Sequence, residues 1–407
     1  LAISLLLLSA EECARFMFII FIIVFINLVG FGIVIPLLPF YGEHFGASPD
    51  EVTWLMAIYS LTQFITAPIW GRYSDRFGRR PILLISLAGT VAAYVWLALA
   101  EDLQTLYWAR ALAGVTAGSI SAAFAYMADI TTDKNRAKGM GLLGAAFGLG
   151  FIAGPAIGGI LAGSDPATTN YQLPSYVAAL FSGTAFLAAL FVLKESLSDE
   201  LKAKIYSRTS GERWTLFIHT MKQPTIRLTI ILTFVSIFAF AGLEATFAMW
   251  SEREFGWGVE QNGYIFAFIG IISAVIQGTL IAPLSRRMGE IGMVRQGFLA
   301  LGIGLAALPF AENLPLLLFA LVIIAYGFSI SSPALNSLLS LNIPAEQQGG
   351  ILGIGRSAST LARALGPAGA GYLFALIGRD WPFYIGALLM FIVLLMALKF
   401  ETAPKQS

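Results

Sequence analysis

Cysteine and charge are both scarce in this 407-residue chain. The single cysteine, Cys13, excludes an internal disulfide and any cysteine metal cluster. The two histidines, His44 and His219, fall in a loop and in a polar central stretch, so neither is expected to build a metal site. Lys, Arg, Asp and Glu together make up only 12% of the residues, against 57% hydrophobic. With a mean hydropathy of +0.77, the composition lies outside the range of soluble globular proteins. No nucleophile–base pair, metal cluster or phosphate loop is present, so an enzyme is not expected. No cofactor is expected either, and nothing points to nucleic acid.

What the chain has instead is a series of apolar runs, each long enough to cross a hydrocarbon core of ~30 Å as a helix. Twelve are read, at about 16–40, 52–70, 81–100, 105–127, 139–162, 175–193, 228–250, 262–284, 292–310, 315–341, 350–377 and 382–399. An all-α membrane protein follows, with the lipid bilayer as its main partner. The opening residues, LAISLLLLSAEECARF, lack a basic leader and an A-x-A cleavage site, so no signal peptide is expected there. A short surface helix and a cloning remnant both stand as readings of residues 1–15.

Basic residues set the orientation. With both termini cytoplasmic, 20 of the 25 Lys and Arg fall on the cytoplasmic side, Arg253 and Arg379 fall outside, and Arg110, Arg356 and Arg363 lie within spans. That is the positive-inside pattern. The expected location is a cell inner (plasma) membrane, multi-pass.

The longest polar stretch, Lys194 to Gln223, divides the chain near its middle. It reads as a cytoplasmic linker, 194–227, between an N-terminal six-helix bundle, 1–193, and a C-terminal one, 228–407. A surface helix and a solvated, partly disordered connection are both open readings of it. A faint repeat links the halves: GRYSDRFGRRP aligns with APLSRRMGEIG at an offset of 211, pairing Asp75 with Arg286 and Gly78 with Gly289. At an offset of 212, Gly154-Pro155 pairs with Gly366-Pro367. Parallel repeats about an axis along the membrane normal are expected.

GRYSDRFGRRP, between spans two and three, carries Gly71, Asp75, Arg76, Gly78, Arg79 and Arg80. A merely basic loop explains the arginines but neither Asp75 nor the glycine spacing, which allows tight backbone at the membrane surface. The pattern resembles the G-x-x-x-D-[RK]-x-G-[RK]-[RK] loop of the major facilitator superfamily. The resemblance implies two six-helix bundles with pseudo-twofold symmetry along the membrane normal. It also suggests a conformational latch in which Asp75 faces a neighbouring helix start or Arg136. GLGFIAGPAIGG in span five resembles the antiporter signature G-x-x-x-G-P-x-x-G-G, with Gly150, Gly154, Pro155, Gly158 and Gly159 in the matching places. That implies exchange of cargo for protons, although small-residue helix packing accounts for the same stripe.

RALAGVTAG in span four resembles the superfamily's basic motif, with Arg110 either functional or snorkelling. The whole chain is similar to the tetracycline:proton antiporter branch, strongly in its first half. That branch's membrane carboxylates in spans one, three and nine correspond here to Asn27, Ala93 and Leu301, so its cargo site is not carried over.

A different charge set stands in its place. Glu244, in span seven, is the one acid that cannot be placed outside the apolar spans, where a lone carboxylate is costly and usually functional. It is the candidate proton-coupling residue. Arg110, Arg356 and Arg363, the last two on one face of span eleven, are candidate substrate residues with Asn27 and Gln277. Tyr59, Gln63, Tyr126, Tyr326, Ser332 and Asn336 add uncharged polar groups, and helix packing accounts for some of them. Trp250 and Trp257 read as interfacial anchors.

Three arginines against one glutamate favour a small amphipathic cargo that is anionic or neutral over a lipophilic cation. The expectation is a monomeric, proton-driven antiporter that exports such molecules by alternating access. The alternatives are an uncoupled facilitator or proton symporter of a small metabolite, with Glu244 in an ion pair, and a lipid-handling or sensing protein on the same scaffold.

Overall fold

The computed structural model describes residues 10–117, 119–131, 133–165, 168–197, 222–341 and 348–400. The first nine residues and most of the expected linker, 198–221, lie outside them. Among the described residues every regular element is helical. The first half holds α1 (Ala10–Val34), α2 (Leu37–His44), α3 (Pro49–Phe77), α4 (Arg79–Ala98), α5 (Leu103–Thr116), α6 (Ser119–Ile130), α7 (Asp133–Ala162) and α8 (Gln172–Val192). The second holds α9 (Pro224–Phe255), α10 (Val259–Thr279), α11 (Ile281–Ala307), α12 (Leu314–Leu341), α13 (Gln348–Leu376) and α14 (Trp381–Ala397).

Among the described residues ten segments, counting Leu103–Ile130 as one, are long and apolar enough to cross a membrane. The arginine-bearing α13 and the shorter α14 complete the twelve spans read from the sequence. Span four is divided between α5 and α6, a division the hydropathy pattern does not announce.

The Cα positions fall into two compact units. Residues 1–47, 58–209 and 255–268 form one, and residues 48–57, 210–254 and 269–407 form the other. In the first, Gly154 of α7 lies against the α1 backbone at Val29 and Gly32, where a methyl group would sit 2.6 Å from the Gly32 Cα. Gly150 and Gly158 meet α1 at Leu28 and Ile33 in the same way. The stripe therefore lets two helices touch backbone to backbone. α7 runs unbroken through Pro155. At the other end of the stripe Gly159 abuts the backbone of Glu260. Isoleucine, leucine and alanine side chains from α1, α4, α6, α7 and α8 fill the core around Tyr126, whose hydroxyl donates to the Lys194 carbonyl at 3.0 Å. Tyr126 is thus a packing residue.

The second unit repeats the design. Gly366 of α13 lies against the α9 backbone at Phe238, as Gly154 lies against α1, and Gly371 abuts Asp50 as Gly159 abuts Glu260. Gly289 interrupts α11 with φ +67°, matching Gly78 with φ +109° between α3 and α4. The weak sequence repeat is therefore a repeat of backbone geometry. Arg295 donates to the carbonyls of Ala397, Leu398 and Phe400, so it closes the C-terminus of α14, where a cation is favoured.

One expectation is corrected here. Trp250 is fully buried, edge-on to Phe383 at 5.6 Å, and its indole Nε1 donates to Asp380 at 2.8 Å. A buried indole needs an acceptor, and the residue just before α14 supplies it. Trp250 ties α9 to α14 and is not an interfacial anchor.

Candidate functional site

From Ala239 to Ser251, α9 is buried at every position except Glu244. That carboxylate accepts a hydrogen bond from Arg363 of α13, Nη1 to Oε2 at 3.1 Å. The Glu244 side chain keeps 21% of its surface accessible and Arg363 keeps 40%. The close approach of α13 to α9 at Gly366 and Phe238 holds the pair at this spacing. Arg356, two turns along α13 on the same face, is exposed. Phe240, one turn before Glu244, stacks on Phe328 of α12 at 3.8 Å between ring centres. An acid, its cation and an aromatic floor thus share one side of α9.

Arg110 has a different setting. Only 5% of it is accessible, and its guanidinium lies 4.6 Å from the centre of the Tyr59 ring, a cation–π contact. Phe31 adjoins Tyr59 at 5.1 Å and Phe151 at 6.0 Å, so the arginine is embedded in an aromatic cluster of the first unit.

The uncharged candidates divide. Asn27 accepts from Ser182 of α8 at 3.1 Å, which gives it a helix-packing role. Gln277 is exposed near the end of α10. Ala93 and Leu301, at the positions of the resembled branch's carboxylates, are core residues 1% and 0% accessible. An open groove of about 470 Å³ lined by Ile58, Leu103, Gln104, Tyr107 and Trp108 contains none of the charged candidates.

The loop between α3 and α4 is built as a clasp. Arg79 donates to Asp75 at 2.6 Å, to Ser74 at 3.1 Å and through Nε to Asp129 of α6 at 3.0 Å. Ser196 also donates to Asp129, at 3.0 Å. Glu195 accepts from the backbone N–H groups of Arg79 and Arg80 at 2.8 and 3.2 Å, which satisfies the exposed start of α4. Arg80 donates to the Leu190 carbonyl at 2.7 Å. Gly78 is required twice over: its φ of +109° is a region that side chains avoid, and a methyl group there would overlap the Glu195 carboxylate. Asp75 is thus bonded to the first side chain of α4, whereas the helix start itself is taken by Glu195. Arg76, next to Asp75 on α3, and Arg136, on α7, are exposed. Asp129 and Glu195 were not among the residues singled out above. Their only signal was an acid at the edge of spans four and six.

Comparison with known proteins follows the same lines. The family model described as Major Facilitator Superfamily matches residues 20–367 and 281–407. The class B tetracycline resistance protein of Escherichia coli is 32% identical over 397 residues, 94% of this chain and 95% of its own length. Multidrug resistance protein 2 of Bacillus subtilis (strain 168) is 30% identical, covering 91% of each chain. Among solved structures, the human organic anion transporter MFSD10 (TETRAN) matches with a TM-score of 0.72 at 24% identity, over 95% of this chain and 99% of that one.

Proposed function

Since this chain belongs to the major facilitator superfamily, a family of membrane transporters and not enzymes, we propose that it moves small amphipathic organic anions by alternating access, coupled to protons at Glu244. The observation that carries this reading is the Glu244–Arg363 pair, 3.1 Å apart and accessible, on an otherwise buried stretch of α9. An ionisable group retained inside a span marks a path or a partner, and here it keeps accessible surface and has a cation. Arg356 and Arg110 add two more positive charges within spans against that one acid. The balance suits an anion, and the human structural neighbour is itself named for organic anions.

Export in exchange for protons is supported by the Gly150–Gly159 stripe and by relatives named for tetracycline and multidrug resistance. Cotransport is the second reading, and the ion pair itself favours it, since an acid held by a cation takes up a proton when that cation is drawn elsewhere. The clasp of Asp75, Arg79, Asp129 and Glu195 would latch the cytoplasmic ends of α3, α4 and α6 during the cycle. The proton gradient is the energy source in either direction, in a cell inner membrane with both termini cytoplasmic.

Thermal shift of the purified chain checks the charge of the cargo, because a ligand that binds only the folded state raises Tm. Amphipathic sulfonates such as 1-naphthalenesulfonate are expected to raise it, tetraphenylphosphonium is not, and Arg363→Ala should lose the response. The opposite ranking of the two ions would overturn the anionic reading.

A further inference from the structure

We infer that at Glu244 and Arg363 a proton and an anion bind together and not in exchange, so that cargo travels with the proton. The inference rests on the anionic-cargo reading and decides the sense of coupling that it leaves open.

The geometry of the pair supplies the argument. A guanidinium has five N–H donors, and among the described residues Arg363 uses one of them, Nη1, on one oxygen of Glu244. The strongest arginine–carboxylate pairs are bidentate, so this single contact is an exchangeable one. Arg363 is also the more accessible partner, 40% against 21%. An arriving anion therefore has free donors to engage.

Two outcomes of that arrival are possible at Arg363, and both have the same sign. If the anion displaces Glu244, it leaves a carboxylate without its cation in an apolar span, and protonation removes that cost. If the anion instead shares the guanidinium with Glu244, two negative charges face each other across a few ångströms, and protonation relieves their repulsion. Linkage then requires the converse, that a proton on Glu244 strengthens anion binding. A cation at the same place would expel the proton, which is the logic of exchange.

Along α9 and the helices α12, α13 and α14 this sign is unopposed, and on α3 the acid Asp50, followed in sequence by Glu51, adjoins α13 at Gly371, two turns beyond Arg363. α12 and α14, which pack on α9, carry no Asp, Glu, Lys or Arg. α13 carries only Arg356 and Arg363, and the other charges of α9, Arg227, Glu252, Arg253 and Glu254, lie at least two turns from Glu244. Asp380 is engaged by Trp250, and Tyr326 by Gln296. A monoanion moving with one proton carries no net charge, so its transport should be indifferent to membrane potential.

The test is proton uptake by the full chain in weakly buffered detergent with an indicator dye, on adding 1-naphthalenesulfonate, whose sulfonate takes up no proton itself. The expected result is uptake approaching one proton per anion bound, with affinity weakening by up to about tenfold per unit rise in pH. Glu244→Gln should bind the sulfonate at least as tightly, with no uptake and no pH dependence. Binding with proton release, binding with no proton change, or uptake that persists in Glu244→Gln would each overturn the inference and leave the anionic reading standing. Binding of tetraphenylphosphonium but not of the sulfonate would overturn the anionic reading itself. Should the variant fail to fold, the sign of uptake by the unaltered protein still decides.

Discussion

At the residue scale, the same physics made some positions readable and hid others. Glu244 stood out in the sequence because a carboxylate in hydrocarbon needs a reason to be there. Which of three arginines answers it was not readable, because the partner lies 119 positions away and depends on how α13 meets α9. Asp129 and Glu195 were hidden because acids at the membrane edge look like ordinary surface charge. Gly78 makes the point testable. Gly78→Ala forces a side chain into an extended positive-φ conformation, at roughly 1–3 kcal/mol, and pushes Glu195 off the start of α4. Gly71, in the same motif, has open space around it. Melting in detergent should therefore fall clearly for Gly78→Ala and hardly move for Gly71→Ala; equal shifts would contradict the clasp. Asp129→Leu leaves Arg79 without one of its two carboxylates in a nearly buried position, and a loss on the order of 3 kcal/mol is expected, read as a lowered midpoint of unfolding.

At the scale of the helix, hydropathy located every span, because the thickness of a bilayer sets a length that composition must meet. Boundaries and partners were less accessible. The division of span four into α5 and α6 sits among small residues that carry no distinctive signal, and the burial of Trp250 depends on Asp380, 130 positions further along the chain. The glycine stripe of α7 was legible as a small-residue face, and its neighbour α1 was not. That stripe predicts a contrast along one helix. A methyl group at Gly154 meets the α1 backbone, whereas one at Gly148 meets nothing. Gly154→Ala should cost about 1–3 kcal/mol through overpacking and Gly148→Ala close to nothing, as measured by thermal unfolding. A smaller effect belongs to the start of α5. Asp102 accepts from the Thr105 N–H at 2.6 Å, which holds its carboxyl below the ordinary aspartate value of 3.8. Its support for α5 is complete above that ordinary value and is lost as pH falls through the lowered one.

At the scale of the whole molecule, the repeat was faint as letters and clear as geometry: Gly78 with Gly289, and Gly154 with Gly366, hold the same backbone roles in two units whose side chains have diverged. That divergence fits the proposed function: within the spans, the second unit sets Glu244 against an accessible Arg363, while the first buries Arg110 against Tyr59. Fold thus followed from pattern, whereas the proposed sense of coupling rests on a single contact between two side chains. The direct measurement is accumulation of 1-naphthalenesulfonate in proteoliposomes under an imposed pH gradient with the membrane potential clamped at zero. The account predicts accumulation on the alkaline side, into which protons flow, and in Glu244→Gln equilibration without accumulation. Accumulation on the acidic side, or gradient-driven accumulation that survives Glu244→Gln, would contradict it.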